Sequence, residues 1–273
     1  MRRQPWVAQQ GRTLVMPLLI IVLMSLAVLA AVTVKPTPPA TSASTRLSEA
    51  PHTEAPQVIR RLQALGFENL TLLPGPKAGW HAVSTHQGLY YMDEAGEFLI
   101  AGQWFVVADS DNVVNLTEQA NAQMRVAELK GLQNSAIVFG DADARYQVSG
   151  FTDHTCGYCR RLHQALDEYQ AADIAVHYYA FPRAGAQSQG AKELASIWCA
   201  DDPAAAMDLA KAGGDISELA APSAACTEQV ETHLQVGRAL GVQGTPAVVL
   251  PDGRLLTGFR GAEALRSELE KSL

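Results

Sequence analysis

The sequence predicts a protein of mixed α+β and α/β class: an apolar N-terminal helix, a small α+β module, a connecting helix and a larger α/β module. Three observations predict it. Residues 14–34 carry no charge, and 18 of these 21 positions are apolar. Short strand-like runs separated by turn residues fill 67–108. Near residue 150 a β-type run leads directly into Cys-x-x-Cys and a helical period.

Composition sets the outer limits. A chain of 273 residues with 48% hydrophobic and 18% charged residues builds a packed core, and four cysteines are too few for a disulfide-stapled miniature fold. The formal charge of -7, from 21 Lys+Arg against 28 Asp+Glu, argues against a nucleic-acid partner, which requires a basic surplus on one face. That charge is unevenly distributed: residues 1–54 hold five Lys+Arg and two Asp+Glu, net +3, and residues 55–273 hold 16 and 26, net -10.

The uncharged run is long enough to span roughly 30 Å as a helix. Arg2, Arg3 and Arg12 precede it, so residues 1–12 are expected to stay in the cytoplasm while the rest is exported. A cleaved signal peptide is the alternative, with small residues at Ala27 to Ala31 where a peptidase could cut. Signal peptides have apolar runs of about 7–15 residues, so length favours retention of 13–34 as an inner-membrane anchor. Residues 35–54, rich in Pro, Ser and Thr, read as a flexible linker.

The first exported module covers 55–111. Pro56 opens a helix in which Val58, Ile59, Leu62 and Leu65 share a face, and Gly66 closes it. Strands are expected over Phe67–Leu73, Trp80–Thr85, Gly88–Met92, Glu97–Ile100 and Gln103–Ala108. Of the residue types common in catalysis, His81 and His86 are present, and both read as ordinary surface or hydrogen-bonded side chains. So small a module buries little core alone, and a second copy would complete it. Residues 112–134 read as a connecting helix, with Thr117-Glu118 near its start, a stripe of Leu116, Ala120, Met124, Ala127 and Leu132, and Gly131 weakening its end.

Residues 135–273 carry the chemistry. Strands are expected at Ala136–Phe139 and Tyr146–Phe151, followed by Cys156-Gly157-Tyr158-Cys159 and a helix marked by Leu162, Ala165, Leu166 and Tyr169. A helix start favours negative charge, so a cysteine there gains thiolate character. This spacing places Cys156 exposed at the start and Cys159 one turn inside, where the pair can attack a disulfide, hold a mixed disulfide and release it. Two other readings compete. A zinc site built on Cys156, Cys159 and His163 lacks an evident fourth ligand, and an inert disulfide would join distant segments rather than adjacent turns. The redox dithiol is the strongest of the three.

Gly244-Thr245-Pro246 precedes an apolar strand Ala247–Leu250, a turn at 251–253, a strand Arg254–Gly258 and a helix from Ala262. This hairpin-then-helix order closes a thioredoxin-like sheet, in which the loop at Pro246 packs beside the dithiol and offers backbone groups to an extended substrate. Proline at a strand's start suits a sheet edge or a cis peptide. Cys199 ends a helical stretch over 187–200 and Cys226 opens another, so in an oxidising compartment they read as a structural bridge worth about 3 kcal/mol. Two buried free thiols are the alternative, which export disfavours.

Four segments together resemble the DsbC/DsbG family of bacterial periplasmic thiol-disulfide proteins: 151–159, Tyr179-Ala-Phe-Pro-Arg183, Ile197-Trp-Cys199 and 240–250. Residues 89–97 more weakly resemble that family's cystatin-like dimerisation domain. The resemblance implies a V-shaped homodimer around a shared apolar cleft, kept reduced by a membrane reductant of the DsbD type, with no cofactor beyond the dithiol and no metal. It makes Cys156 the attacking thiol, Cys159 the resolving thiol, and Thr245-Pro246 the cis-proline loop that meets substrate. Gly157-Tyr158 matches the DsbC branch, where DsbG has Pro-Tyr. The expected activity is isomerisation of incorrect disulfides in exported proteins; reduction of oxidised single cysteines and a chaperone role are the alternatives. The apolar front departs from family members that are soluble after signal cleavage.

Overall fold

The computed structural model describes residues 56–85, 87–109 and 112–271, all within one compact unit. The expected membrane helix at 13–34, the linker at 35–54 and His86 lie outside the described residues. Among the described residues no helix is long and apolar enough to cross a membrane.

The chain begins with α1 (Pro56–Ala64), which lays Val58 and Leu62 on Val83 and Met92 of a four-stranded antiparallel sheet. Its order is β1 (Thr71–Pro74), β2 (Trp80–Thr85), β3 (Gly88–Asp93) and β4 (Leu99–Ile100). Two strands are shorter than the pattern predicts. Phe67 and Leu70 pack against the α1 core before the strand starts, and Asn69 breaks the extended path with φ 53°. The Asp93 carboxylate accepts from the Glu97 and Phe98 amides at 2.8 Å, holding both residues in the turn.

The connecting helix also differs from expectation. Residues Asn112–Asn115 are a strand, β6, paired with β5 (Phe105–Asp109), and α2 runs only from Leu116 to Leu132. Val113 and Val114 favour extended backbone, and the Asn115 side chain caps the helix by accepting from the Glu118 amide. The expected apolar stripe fails at Ala127, which is exposed, while Arg125 and Leu129 are buried. The cause is that α2 serves two cores: Ala120 and Met124 pack beside Tyr91 and Trp104, whereas Leu129 and Leu132 pack beside Phe151 and Leu234. Buried Arg125 fastens the helix to the C-terminal module, donating to the carbonyls of Leu240 (2.9 Å) and Gly253 (3.0 Å) and pairing with Glu118.

That module is a five-stranded sheet ordered β11 (Leu255–Thr257), β10 (Ala247–Val249), β8 (Tyr146–Thr152), β9 (Ile174–Ala180) and β7 (Ile137–Phe139). β8 and β9 are parallel and the other neighbours antiparallel. Apolar clusters cover both faces, which is why β9 alternates little and is almost wholly buried. The helices are α3 (Gly157–Gln164), α4 (Leu166–Ala171), α5 (Gln189–Trp198), α6 (Pro203–Ala212), α7 (Ala224–Ala239) and α8 (Ala262–Glu270). The single helix expected after the dithiol is thus two, divided at Ala165. A Cys199–Cys226 disulfide joins the end of α5 to α7 with the Cα atoms 5.7 Å apart.

Candidate active site

Strand β8 ends at Thr152, and after three intervening residues the chain turns into α3 with Cys156 as its N-cap. The turn is built by Asp153, which is 4% exposed. Its Oδ1 accepts from the Thr155 amide (2.9 Å) and hydroxyl (2.6 Å), and its Oδ2 accepts from the Arg183 amide (3.0 Å) and Nε (3.1 Å). Burial pushes this carboxyl upward, but those hydrogen bonds outweigh it and keep Asp153 below the usual carboxylate range. Its carbonyl in turn accepts from the Cys156 amide.

Cys156 and Cys159 are both free thiols and both buried. The expectation that Cys156 is exposed is therefore corrected: it is 3% exposed, because the loop before β10 covers it and its Sγ–H donates to the Thr245 carbonyl at 3.3 Å. The Thr245–Pro246 peptide is cis and leads into β10, an interior strand rather than an edge. Between the thiols, Tyr158 is 60% exposed and a Cβ on Gly157 would meet nothing within 4 Å.

The two sulfurs have opposite settings. Burial raises the Cys156 thiol, but the Thr245 side chain, the Cys159 amide and thiol, and the Arg183 charge favour the thiolate and leave it below its ordinary value. At Cys159 burial prevails, and Lys211, Thr245, the Asp153 backbone and Thr152 offset it only in part, so that thiol is raised. Of the two, Cys156 at the helix start therefore loses its proton more readily than Cys159 behind it.

Sequence reasoning did not single out Asp153, Arg183 or Lys211. Asp153-x-Thr155 directly before a helix is a local turn signal that could have found the first. Arg183 and Lys211 reach the site from β-loop and helix positions 27 and 55 residues or so downstream, roughly counted, with no local mark of their role. His163, weighed as a zinc ligand, instead pairs with Asp208 (2.9 Å) and stacks on Tyr178. Among the described residues no three His, Cys, Asp or Glu side chains cluster to hold a metal ion. His81 lies in β2 of the N-terminal sheet.

A family of thioredoxin-like domains matches residues 121–273. The thiol:disulfide interchange protein DsbC of Salmonella typhimurium is 34% identical over 220 residues, spanning 81% of this chain and 89% of its own. Its Escherichia coli K12 counterpart is 35% identical over 214 residues (78% and 86%), and that of Haemophilus influenzae is 33% identical over 211 (77% and 88%).

Proposed function

The chain belongs to the DsbC family of thiol:disulfide interchange proteins, and from that premise we propose that Cys156 attacks incorrect disulfides in exported proteins while Cys159 resolves the adducts. The protein is a periplasmic thiol:disulfide isomerase with a thioredoxin-like catalytic domain. What supports the assignment of roles is placement: Cys156 is the N-cap of α3, 3.3 Å from the Thr245 carbonyl, while Cys159 lies inside the helix behind it, and the lowered setting of the first and raised setting of the second agree with this.

In the forward step the Cys156 thiolate attacks one sulfur of a substrate disulfide. A Cys156–substrate bond forms, the substrate disulfide breaks, and its other sulfur leaves as a thiolate. That freed thiolate attacks a different substrate disulfide, forming one new bond and displacing another substrate thiolate. This third sulfur attacks the substrate sulfur of the adduct: a second new disulfide forms, the Cys156–substrate bond breaks, and Cys156 leaves as thiolate with no net oxidation. When the substrate stalls, Cys159 attacks Cys156, the substrate leaves reduced, and a Cys156–Cys159 disulfide remains. The oxidised pair then needs two electrons, which a membrane reductant of the DsbD type would supply. The Thr245 carbonyl beside Cys156 and the Pro246 loop form the wall along which an extended substrate backbone lies.

Two further readings accompany this one. The protein forms a homodimer through its N-terminal module, supported by the exposed apolar surface of the β5–β6 ribbon, where Phe105 is 49% exposed and Val107 68%. It is held at the inner membrane by residues 13–34, supported by the length and uncharged character of that run. A mature mass lacking those residues, measured on membrane-extracted protein, would overturn the anchor.

A substrate with scrambled disulfides tests the central reading. Its activity should return with the full protein and a catalytic amount of reductant. Equal recovery with Cys156→Ala would sink the assignment.

A further inference from the structure

Lys211, near the end of α6, is 2% exposed. Its Nζ donates to the Thr152 hydroxyl at 2.5 Å and to the Asp153 carbonyl at 3.1 Å, and lies 5.7 Å from the centre of the Tyr178 ring. No ion pair to Lys211 exists among the described residues; the neighbouring acid, Asp153, has both oxygens committed to Thr155 and Arg183. A buried ammonium without a carboxylate partner carries a desolvation penalty of several kcal/mol. A structural lysine would find an acid or reach solvent, and this one does neither.

The groups facing it explain why it is tolerated. Cys156, Cys159, Arg160 and His163 face it from the dithiol segment, Asp153 from the preceding turn, and Tyr178 from β9. Of these, Cys159 is the thiol that burial raises and that must still lose its proton to resolve the adduct. Thr152, which accepts from Lys211, also acts on the Cys159 sulfur.

We propose that Lys211 is the proton partner of Cys159: as a neutral amine it takes up, by way of Thr152, the proton that leaves Cys159 when this thiol resolves a mixed disulfide. It is a positioning residue, acting through the Thr152 hydroxyl. The balance is complete. The Cys159 S–H bond breaks and an N–H bond forms on Lys211; the Cys159–Cys156 bond forms, the Cys156–substrate bond breaks, and the substrate sulfur leaves with the electron pair as thiolate. The ammonium later releases its proton to solvent or to that thiolate. Because the proton moves inside the pair, the buried pocket gains no net charge as Cys159 ionises. The site suits this exchange, since burial lowers Lys211 to about 8 while the same burial raises Cys159.

This inference rests on the roles proposed for Cys156 and Cys159, and one experiment separates the two. The full-length reduced protein is mixed with the aromatic disulfide dithiobis-nitrobenzoate, and release of the coloured thiolate is followed by stopped flow. A first phase reports attack by Cys156 and a second reports resolution by Cys159. A first phase that persists in Cys156→Ser overturns the assignment of roles, and the inference with it. With the roles upheld, the second phase of the natural protein should rise with pH around a midpoint near 8. Lys211→Met should slow it at least roughly tenfold at neutral pH and move its midpoint upward, leaving the first phase unchanged, which also reports an intact fold. Thr152→Val, which keeps the lysine, should do the same. A second phase with unaltered pH dependence in Lys211→Met, or in Thr152→Val should the lysine variant not fold, overturns the proposal.

Discussion

The Cys156 sulfur lies 3.3 Å from the carbonyl oxygen of Thr245, a residue 89 positions away in the chain. The contact buries the thiol that would otherwise stand open at the start of α3, and it leaves Tyr158 as the exposed member of the motif. An arriving disulfide must therefore meet sulfur and loop together, so binding and attack share one surface.

Loss of the resolving thiol should trap the adduct. Cys159→Ser is expected to accumulate mixed disulfides with exported proteins, visible as reducible high-mass species on non-reducing gels. Cys156→Ser should accumulate none, and equal trapping by both variants would contradict the division of labour.

Arg183 contributes charge beside Cys156 and also donates to Asp153. In a Cys159→Ala background, the pH midpoint for alkylation of Cys156 should lie below that of an ordinary thiol. Arg183→Met should raise it, and Arg183→Lys should recover part of the shift. No movement in the methionine variant would show that the turn and Thr245, not the guanidinium, set the thiolate.

His233 is fully buried between Ala180 and Ser135. The Ala180 amide donates to Nδ1 (3.2 Å), so the proton sits on Nε2 and donates to the Ser135 hydroxyl (2.8 Å). Burial lowers its pKa from 6.5 to about 4. Between those values the unfolded chain binds a proton that the folded one refuses, so stability present above the unfolded value falls as pH drops. The full loss is about 3 kcal/mol. Urea unfolding at neutral pH and at successively lower pH should show a loss in the natural protein that is smaller in His233→Asn, the difference growing below 6.5 and reaching this amount only below about 4. An equal loss in both would remove His233 from the account.

Opening the Cys199–Cys226 bridge should cost about 3 kcal/mol through the restored freedom of the unfolded chain. The double serine variant should show a correspondingly lower denaturation midpoint while keeping the thiol phases of the active site, since the bridge ties α5 to α7 and touches neither catalytic sulfur. A midpoint matching the natural protein would mean the helices are already held by packing.

Gly253 adopts φ +85°, and a Cβ there would fall 2.0 Å from the Ala122 carbonyl oxygen. Gly253→Ala should destabilise by about 2–3 kcal/mol, because both the left-handed backbone and the close approach of α2 resist a side chain. Thermal unfolding would show it, and a variant as stable as the parent would mean that α2 can move away freely.

Much of this was legible from residue order. The strand, the Cys-x-x-Cys and the helix are contiguous, and their apolar periods are local, so 146–164 could be read directly; so could the turn chemistry that brings Pro246 to the start of β10. The α2 stripe was misread because one helix buries two faces against two cores, and Asn112–Asn115 was misread because four residues beside a helical period take their strand identity from a partner, β5. Phe67–Leu73 was half right, since packing under α1 claimed Phe67 and Leu70.

By itself, then, the sequence determined the order of the described modules from residue 56 onward, the dithiol and its helix, the spacing of the second cysteine pair, and the charge contrast between a basic front and an acidic body. These depend on neighbours within a few positions, where backbone propensity and side-chain period act directly. Only the tertiary structure decided that Cys156 is covered by Thr245, that Arg183 and Asp153 brace the turn, and that Lys211 is buried beside the dithiol on Thr152 and the Asp153 carbonyl. Each joins segments that are distant along the chain and become neighbours only when the sheet closes. Burial then strengthens their electrostatic coupling, a property of position in space that no local pattern encodes.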